Sequence, residues 1–435
     1  MKTLFYNVRL VDAFCDTNGA ILVENSLISE VFLEKIDIST FSNGETECID
    51  CGGLVLMPAF VDIHAHFRYP GLSEKEELNT ALMAAKAGGF GTLVLMPNTK
   101  PVISSVTQAK QVQFDAQKLN MANIIQSISI SKNFEGNDTS HLDNLDFKEI
   151  PVISEDGFDL ENANVMFEAM QKCSENGILV LCHCEDVHFA RKAKNFRQNA
   201  IKLMQSPNAN KAEIEKNMAK AENLLALAED IATIRNLYLA KKADCNIHIT
   251  HCSTKASLEA VKNAKEMQND KVTCDVTPHH IYLSNMVNEF VNPPIRSEID
   301  RLALIEGIKN GTVDMIGTDH APHTMQDKAE GACGFSGLET AFAVCYKALV
   351  LSGAISLSKL SALMAQKPAN RLGVNCGVFK KGYEANFVLI DLEKEWKVIS
   401  EKFFSKGKYS PYNGEVFKGK VIKTFRHGKL IYNEE

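Results

Sequence analysis

The sequence predicts an α/β protein, a (β/α)8 TIM barrel with a small composite β domain formed by the N- and C-terminal segments. Three observations carry that expectation. Through the middle of the chain, eight apolar runs alternate with long helical runs. Polar residues, histidines above all, stand at the C-terminal ends of those apolar runs. At either end of the chain, short β-rich runs separated by turn residues fit no barrel and cannot stand alone. The division expected is residues 1–55 and 376–435 as the two parts of the β domain, with 56–375 as the barrel.

Each element follows from its own pattern. TLFYNVRLV, AILVEN and LISEVFLE open the chain as strands of a small antiparallel sheet; ANFVLIDL, EWKVIS and GKVIKTFRHGKLIYN close it the same way. The barrel strands are expected at 54–66, 91–98, 124–131, 150–156, 177–185, 246–252, 272–278 and 313–320. The first of these reads as one strand, LVLMPAFVDIHAH, apolar on both faces at its start. Helical periodicity fills 76–89, 161–177, 223–245, 254–268 and 299–311. Gly88, Gly89 and Gly91 lie in the order helix, glycine, strand. That is the reverse of a dinucleotide-binding loop, and they are expected to end a helix.

Composition narrows the class. The 435 residues are 45% hydrophobic and 23% charged, with a net charge of −7 spread along the chain, so no nucleic-acid footprint is expected. No apolar run reaches membrane-spanning length and the N-terminus lacks signal-peptide features, so a cytoplasmic protein is expected. The 12 cysteines are scattered without a CxxC pair, as buried free thiols in a reducing compartment would be.

The chemistry concentrates at the strand ends, where barrels of this kind place their sites. Along the first strand side chains alternate, so Asp62, His64 and His66 share one face. Buried imidazoles and carboxylates need a partner, and a divalent cation is one. The other strand ends supply Asn98, Asp156, His183, His251, and Asp319 with His323. His248 competes with His251, but His251 lies nearer the strand end. Four histidines and two aspartates can hold two adjacent metals with one carboxylate between them.

HAHFRYPG (64–71), LVLMPNTKP (93–101), SEDG (154–157), HCED (183–186), HITHCSTK (248–255), NPPIR (292–296), GTDHAPH (317–323) and GFSGLET (334–340) stand in this order. Together they resemble the amidohydrolase superfamily and, within it, the dihydroorotases. The resemblance spans the chain. It implies His64, His66 and Asp319 as ligands of one metal, His183 and His251 as ligands of a second, and Asp156 as the bridge. Many relatives use a carboxylated lysine there; the nearest upstream lysine, Lys148, is eight positions away, which favours the aspartate-bridged subtype. Zinc is the implied ion, one or two per subunit, with manganese or cobalt as substitutes. A homodimer is implied, and association with aspartate transcarbamoylase is left open.

The implied reaction is the reversible hydrolysis of L-dihydroorotate to N-carbamoyl-L-aspartate in pyrimidine (UMP) biosynthesis. A metal acidifies water and polarises the ring carbonyl, and Asp319 serves as general acid and base. Arg68, supported by Asn98 and His323, is expected to take the substrate carboxylate. Asn292 is expected to meet the ring amide, and Gly334 to approach the ring from a backbone lid. The sequence departs from relatives in reading EFVNPP before Asn292 and Ala332-Cys333-Gly334 in the lid. His279 and His280 match a family segment without an assigned role. Three alternatives compete: a dihydropyrimidinase, hydantoinase or allantoinase; a non-catalytic scaffold for aspartate transcarbamoylase; and a deacetylase-type amidohydrolase. The first lacks a substrate carboxylate for Arg68 to answer, the second has lost metal ligands that are all present here, and the third lacks the MPNT and NPP elements.

Overall fold

The computed structural model describes residues 2–41, 44–206, 210–286 and 289–434. The chain begins with β1 (Lys2–Val11), β2 (Asp16–Glu24), β3 (Leu27–Phe32), β4 (Thr46–Asp50) and β5 (Val55–Pro58). It then enters β6 (Phe60–Ala65), β7 (Phe90–Leu95), β8 (Asn123–Gln126), β9 (Val152–Ser154), β10 (Leu179–Cys182), β11 (Ile247–Ile249), β12 (Val272–Val276) and β13 (Met315–Ile316). It closes with β14 (Phe387–Lys397), β15 (Val416–Arg426) and β16 (Lys429–Asn433).

Strands β6 to β13 are the eight expected from the sequence. They form parallel ladders β6-β7-β8 and β9 to β13. Parallel bridges between Ile128 and Ile153 and between Ala65 and His320 join the two ladders into a closed barrel. Helices over 78–87, 163–176, 255–268 and 298–310 fall where the periodicity placed them; the expected 223–245 run is the latter part of a longer helix, 211–243, and further helices span 106–119 and 187–204. Ser105, Asn162 and Ser297 each accept a backbone N–H at a helix start, and left-handed Gly177 and Gly311 end the helices before β10 and β13.

The two chain ends share one sheet, ordered β16-β15-β14-β5-β1-β2-β3, with β4 beside β1. Phe5 is its anchor, edge-on to Phe387 at 5.4 Å and to Phe425 at 4.9 Å. Phe60, at the start of β6, lies edge-on to Phe90 of β7 and stacked on Phe342, both at 5.6 Å.

Two local expectations need correction. The run 54–66 is two strands in two sheets. Through Pro58 it pairs with β14 and β1; the Phe60 N–H then donates to Gly89, on the barrel side. Proline carries no N–H to continue the ladder, and after one last bond on the β14 side, Ala59 N–H to Asn386 O at 2.9 Å, the partner changes at Phe60. Gly88 and left-handed Gly89, whose N–H donates to Lys86 O at 3.2 Å, end the helix as expected; Gly91 does not, lying inside β7, where a Cβ would sit 2.9 Å from the Ala59 methyl. All 12 cysteines are unpaired thiols. Among the described residues, no helix is long and apolar enough to cross a membrane.

Candidate metal centre

The C-terminal ends of β6, β9, β10, β11 and β13 deliver His64 and His66, Asp156, His183, His251 and Asp319 to one buried cluster. The Nε2 atoms of His64 and His66 are 3.2 Å apart, and Asp319 Oδ1 lies 3.1 Å from the second and 3.6 Å from the first. His183 Nδ1 is 2.9 Å from His251 Nε2. Asp156 stands between the two groups. Its Oδ1 is 3.3 Å from His66, while Oδ2 is 3.2 Å from His64, 3.4 Å from His183 and 3.7 Å from His251.

These separations suit a cation. Donor atoms about 2.0–2.1 Å from a tetrahedral centre sit roughly 3.3–3.4 Å from one another. Asp156 Oδ2 is buried with no hydrogen-bond partner, and so is His64 Nδ1. An orphaned buried carboxylate oxygen among imidazoles is costly unless a cation takes it up. Two sets of three residues, His64-His66-Asp319 and His64-Asp156-His251, present ligand atoms close enough to share an ion. Lys148 is exposed at the surface.

Electrostatics bear out the pairing. Burial works to raise both carboxyls, yet the surrounding imidazoles hold Asp156 and Asp319 well below the usual carboxylate range. Burial likewise opposes the charged form of His64, but Asp156 and Asp319 lift it to about 9. Protons and a metal therefore compete for the same nitrogens.

The scaffold around the cluster is built of hydrogen bonds that the sequence did not reveal. Asp62 shares the strand with His64 and His66 but turns to β13. It accepts from the Thr318 N–H at 3.0 Å and the Thr318 hydroxyl at 2.5 Å. Asp275 on β12 accepts the His251 N–H at 2.7 Å and engages His248 Nε2 at 2.8 Å. His248 is thus engaged away from the cluster, whereas His251 faces it. Arg68, His251 and Asp319 all have left-handed φ, of 58°, 38° and 49°. Strain of this kind persists only where surrounding contacts enforce it.

The expected substrate contacts fall around the same mouth. Arg68 is buried, its Nε donating to Pro322 O at 3.3 Å and its Nη2 lying 3.3 Å from His323 Nε2. His323 donates to Cys333 O at 2.8 Å; burial and then Arg68 push its pKa down to about 3, keeping it neutral. Asn98 reaches His66 Nδ1 at 3.0 Å, and Asn292 reaches His183 Nε2 at 3.4 Å. Both amides therefore touch ring nitrogens of the cluster. Gly334, at φ 115°, packs on Ala321, where a Cβ would meet the Ala321 methyl at 2.6 Å. His280 braces the turn after Asn292 by donating to Pro293 O at 3.0 Å and Pro294 O at 3.1 Å. The His279 ring lies 5.1 Å from that of Phe335.

A barrel whose strand ends gather four imidazoles and two carboxylates defines a class of metal-dependent hydrolase. Residues 55–431 match the Amidohydrolase family. The chain belongs to that family. The chain is 38% identical over 436 residues to the dihydroorotase of Clostridium botulinum, covering 100% of both chains. It is 34% identical over 444 residues to the dihydroorotase of Caldanaerobacter subterraneus, covering 100% of this chain and 98% of that one. Among solved structures it resembles an L-hydantoinase from Arthrobacter aurescens (TM-score 0.83, 25% identity, 99% and 96% of the two chains). A dihydropyrimidinase from Brevibacillus agri shares the fold (TM-score 0.81, 19% identity, 100% and 95%).

Proposed function

We infer that the chain is a dihydroorotase, interconverting L-dihydroorotate and N-carbamoyl-L-aspartate. The observation that carries this reading is the carboxylate-bridged histidine cluster with Arg68 at its mouth, in a chain that matches dihydroorotases end to end. The hydantoinase-like structures share the architecture, and two features of this chain favour dihydroorotate over a hydantoin. Asp156 occupies the position between the two metal sites, and the buried Arg68 offers a guanidinium to a carboxylate that hydantoins lack. The filled ligand set argues against a non-catalytic scaffold.

The six cluster residues would hold one or two divalent ions; zinc suits imidazole and carboxylate donors, as do manganese and cobalt. When bound, such an ion supplies an acidified water and polarises a carbonyl. The remaining work belongs to the chain. Arg68 binds the substrate carboxylate and fixes the ring relative to the cluster. Asp319, ionised at rest, turns Oδ1 to His64 and His66, leaving Oδ2 to take a proton from the attacking water and deliver it to the ring nitrogen. In the reverse direction the same oxygen removes the amide proton. Neutral His323 holds the 332–334 segment over the site through Cys333 O, and Gly334 allows that segment to lie close.

The finer setting is also part of the proposal: de novo pyrimidine (UMP) biosynthesis in the cytoplasm, a barrel unit over 56–375 flanked by the two β segments, and a homodimer. The homodimer is supported by Leu227, Ile231, Ile234 and Tyr238, which are exposed at spacings of four, three and four on one face of the helix Lys211–Ala243. Association with aspartate transcarbamoylase has no comparable support. The deciding experiment is carbamoyl-aspartate formation from dihydroorotate, with dihydrouracil, hydantoin and allantoin as controls. Turnover of dihydroorotate, lost on chelation and restored by zinc, is expected. Turnover of hydantoin in its place would end the reading, and full activity without metal would end the mechanism.

A further inference from the structure

His183 faces the cluster through Nδ1, which is 3.4 Å from Asp156 Oδ2 and 2.9 Å from His251 Nε2. An imidazole that turns one lone pair to a cation must carry its proton on the other nitrogen. His66 meets that requirement through Nδ1–H and the Oδ1 of Asn98, at 3.0 Å. For His183 the protonated atom must be Nε2, and two side chains face it. Asn292 presents Nδ2 at 3.4 Å, and Glu185 presents Oε2 at an ion-pair separation of 3.8 Å, longer than a hydrogen bond. An amide nitrogen cannot accept a proton, whereas a carboxylate oxygen can.

Glu185 is well placed for the task. It follows His183 by two residues, and its backbone N–H donates to Asp159 Oδ2 at 3.3 Å. Asp159 is itself held by Arg235 Nη2 at 2.9 Å and Asn236 Nδ2 at 3.3 Å. The loop leaving β10 is thereby pinned to the long helix 211–243, with the carboxylate kept on the outer side of the His183 ring.

We propose that Glu185 is a positioning residue: its carboxylate, at ion-pair distance from Nε2 of His183, favours the proton on that nitrogen and so fixes the tautomer and ring plane that turn Nδ1 to the cation. The inference rests on the metal reading of the cluster and assigns a residue outside the ligand set. Such outer partners commonly change metal affinity about 10- to 100-fold.

The test titrates cobalt(II) into chelator-stripped protein, following visible absorption against a competing chelator. The parent, His183→Ala, Glu185→Ala, Glu185→Gln and Asn292→Ala are compared, with folding checked by circular dichroism. His183→Ala identifies which bound ion depends on that ring. Glu185→Ala is expected to weaken that ion about 10- to 100-fold, leaving the other ion at parental affinity. Glu185→Gln keeps an acceptor oxygen and should recover most of the loss even if the alanine variant folds poorly. Parental affinity in Glu185→Ala overturns the proposal. A loss confined to Asn292→Ala does so too, because it makes a flipped Asn292 amide the acceptor. A parent that binds no ion sensitive to His183→Ala ends the metal reading itself, and that failure appears before any Glu185 variant is considered.

Discussion

In the proposed mechanism Arg68 and Asp319 divide the work at the mouth of the barrel, and their substitutions should separate binding from chemistry. Arg68 donates to Pro322 O and lies against His323, and its hydrogen-bond contacts are with these two residues rather than with the cluster. Arg68→Ala is expected to keep its metal while KM for dihydroorotate rises roughly 10- to 100-fold, the scale of a charge-assisted pair. Unchanged saturation would mean the carboxylate is held elsewhere. Asp319 sits 3.1 Å from His66 and is one of the candidate ligands. Asp319→Asn keeps the shape and loses the base, so kcat should fall roughly 10²- to 10⁴-fold in both directions. A variant slow in only one direction would contradict a single proton carrier.

The elements that hold the site also hold the chain ends to the barrel. Glu339, in the turn after the lid, accepts the N–H groups of Phe404 and Ser405, both at 3.1 Å, from the segment joining β14 to β15. Burial outweighs those bonds and lifts its pKa from 4.5 to about 7. A carboxyl whose folded pKa is raised binds its proton more tightly in the folded state. Its contribution is therefore greatest below pH 4.5, declines as pH rises toward 7 and stays lost above, by about 3 kcal/mol at most. Glu339→Gln cannot ionise. Its melting temperature relative to the parent should rise between pH 5 and pH 8, and a constant difference would refute the assignment.

On the outer surface of the barrel, the long helix 211–243 carries the apolar stripe that supports a dimer. Ile231 and Ile234 are 40% and 58% exposed at its centre, so replacing both with lysine removes the apolar seam without touching the core. If the proposed homodimer uses this face, light scattering should find a dimer for the parent and monomers for the double variant. A double variant that keeps the parent's mass would move the interface to another face.

Much of this protein is legible before any fold is known. Apolar runs of strand length and helical runs between them specify the barrel, because strand and helix periods differ and a parallel sheet needs a crossover for every strand. The end of a strand is where a polar residue can reach the mouth, so His64, His66, Asp156, His183, His251 and Asp319 can be collected from local pattern. Their partners cannot. Asp62 and Thr318 are separated by 256 residues, and His251 and Asp275 lie on neighbouring strands, so their contacts exist only after closure. The contacts of His248 and the break after Ala59 depend likewise on which strand lies alongside. Linear spacing encodes which way a side chain points along its own element; what it meets there is set by packing between elements distant in the chain.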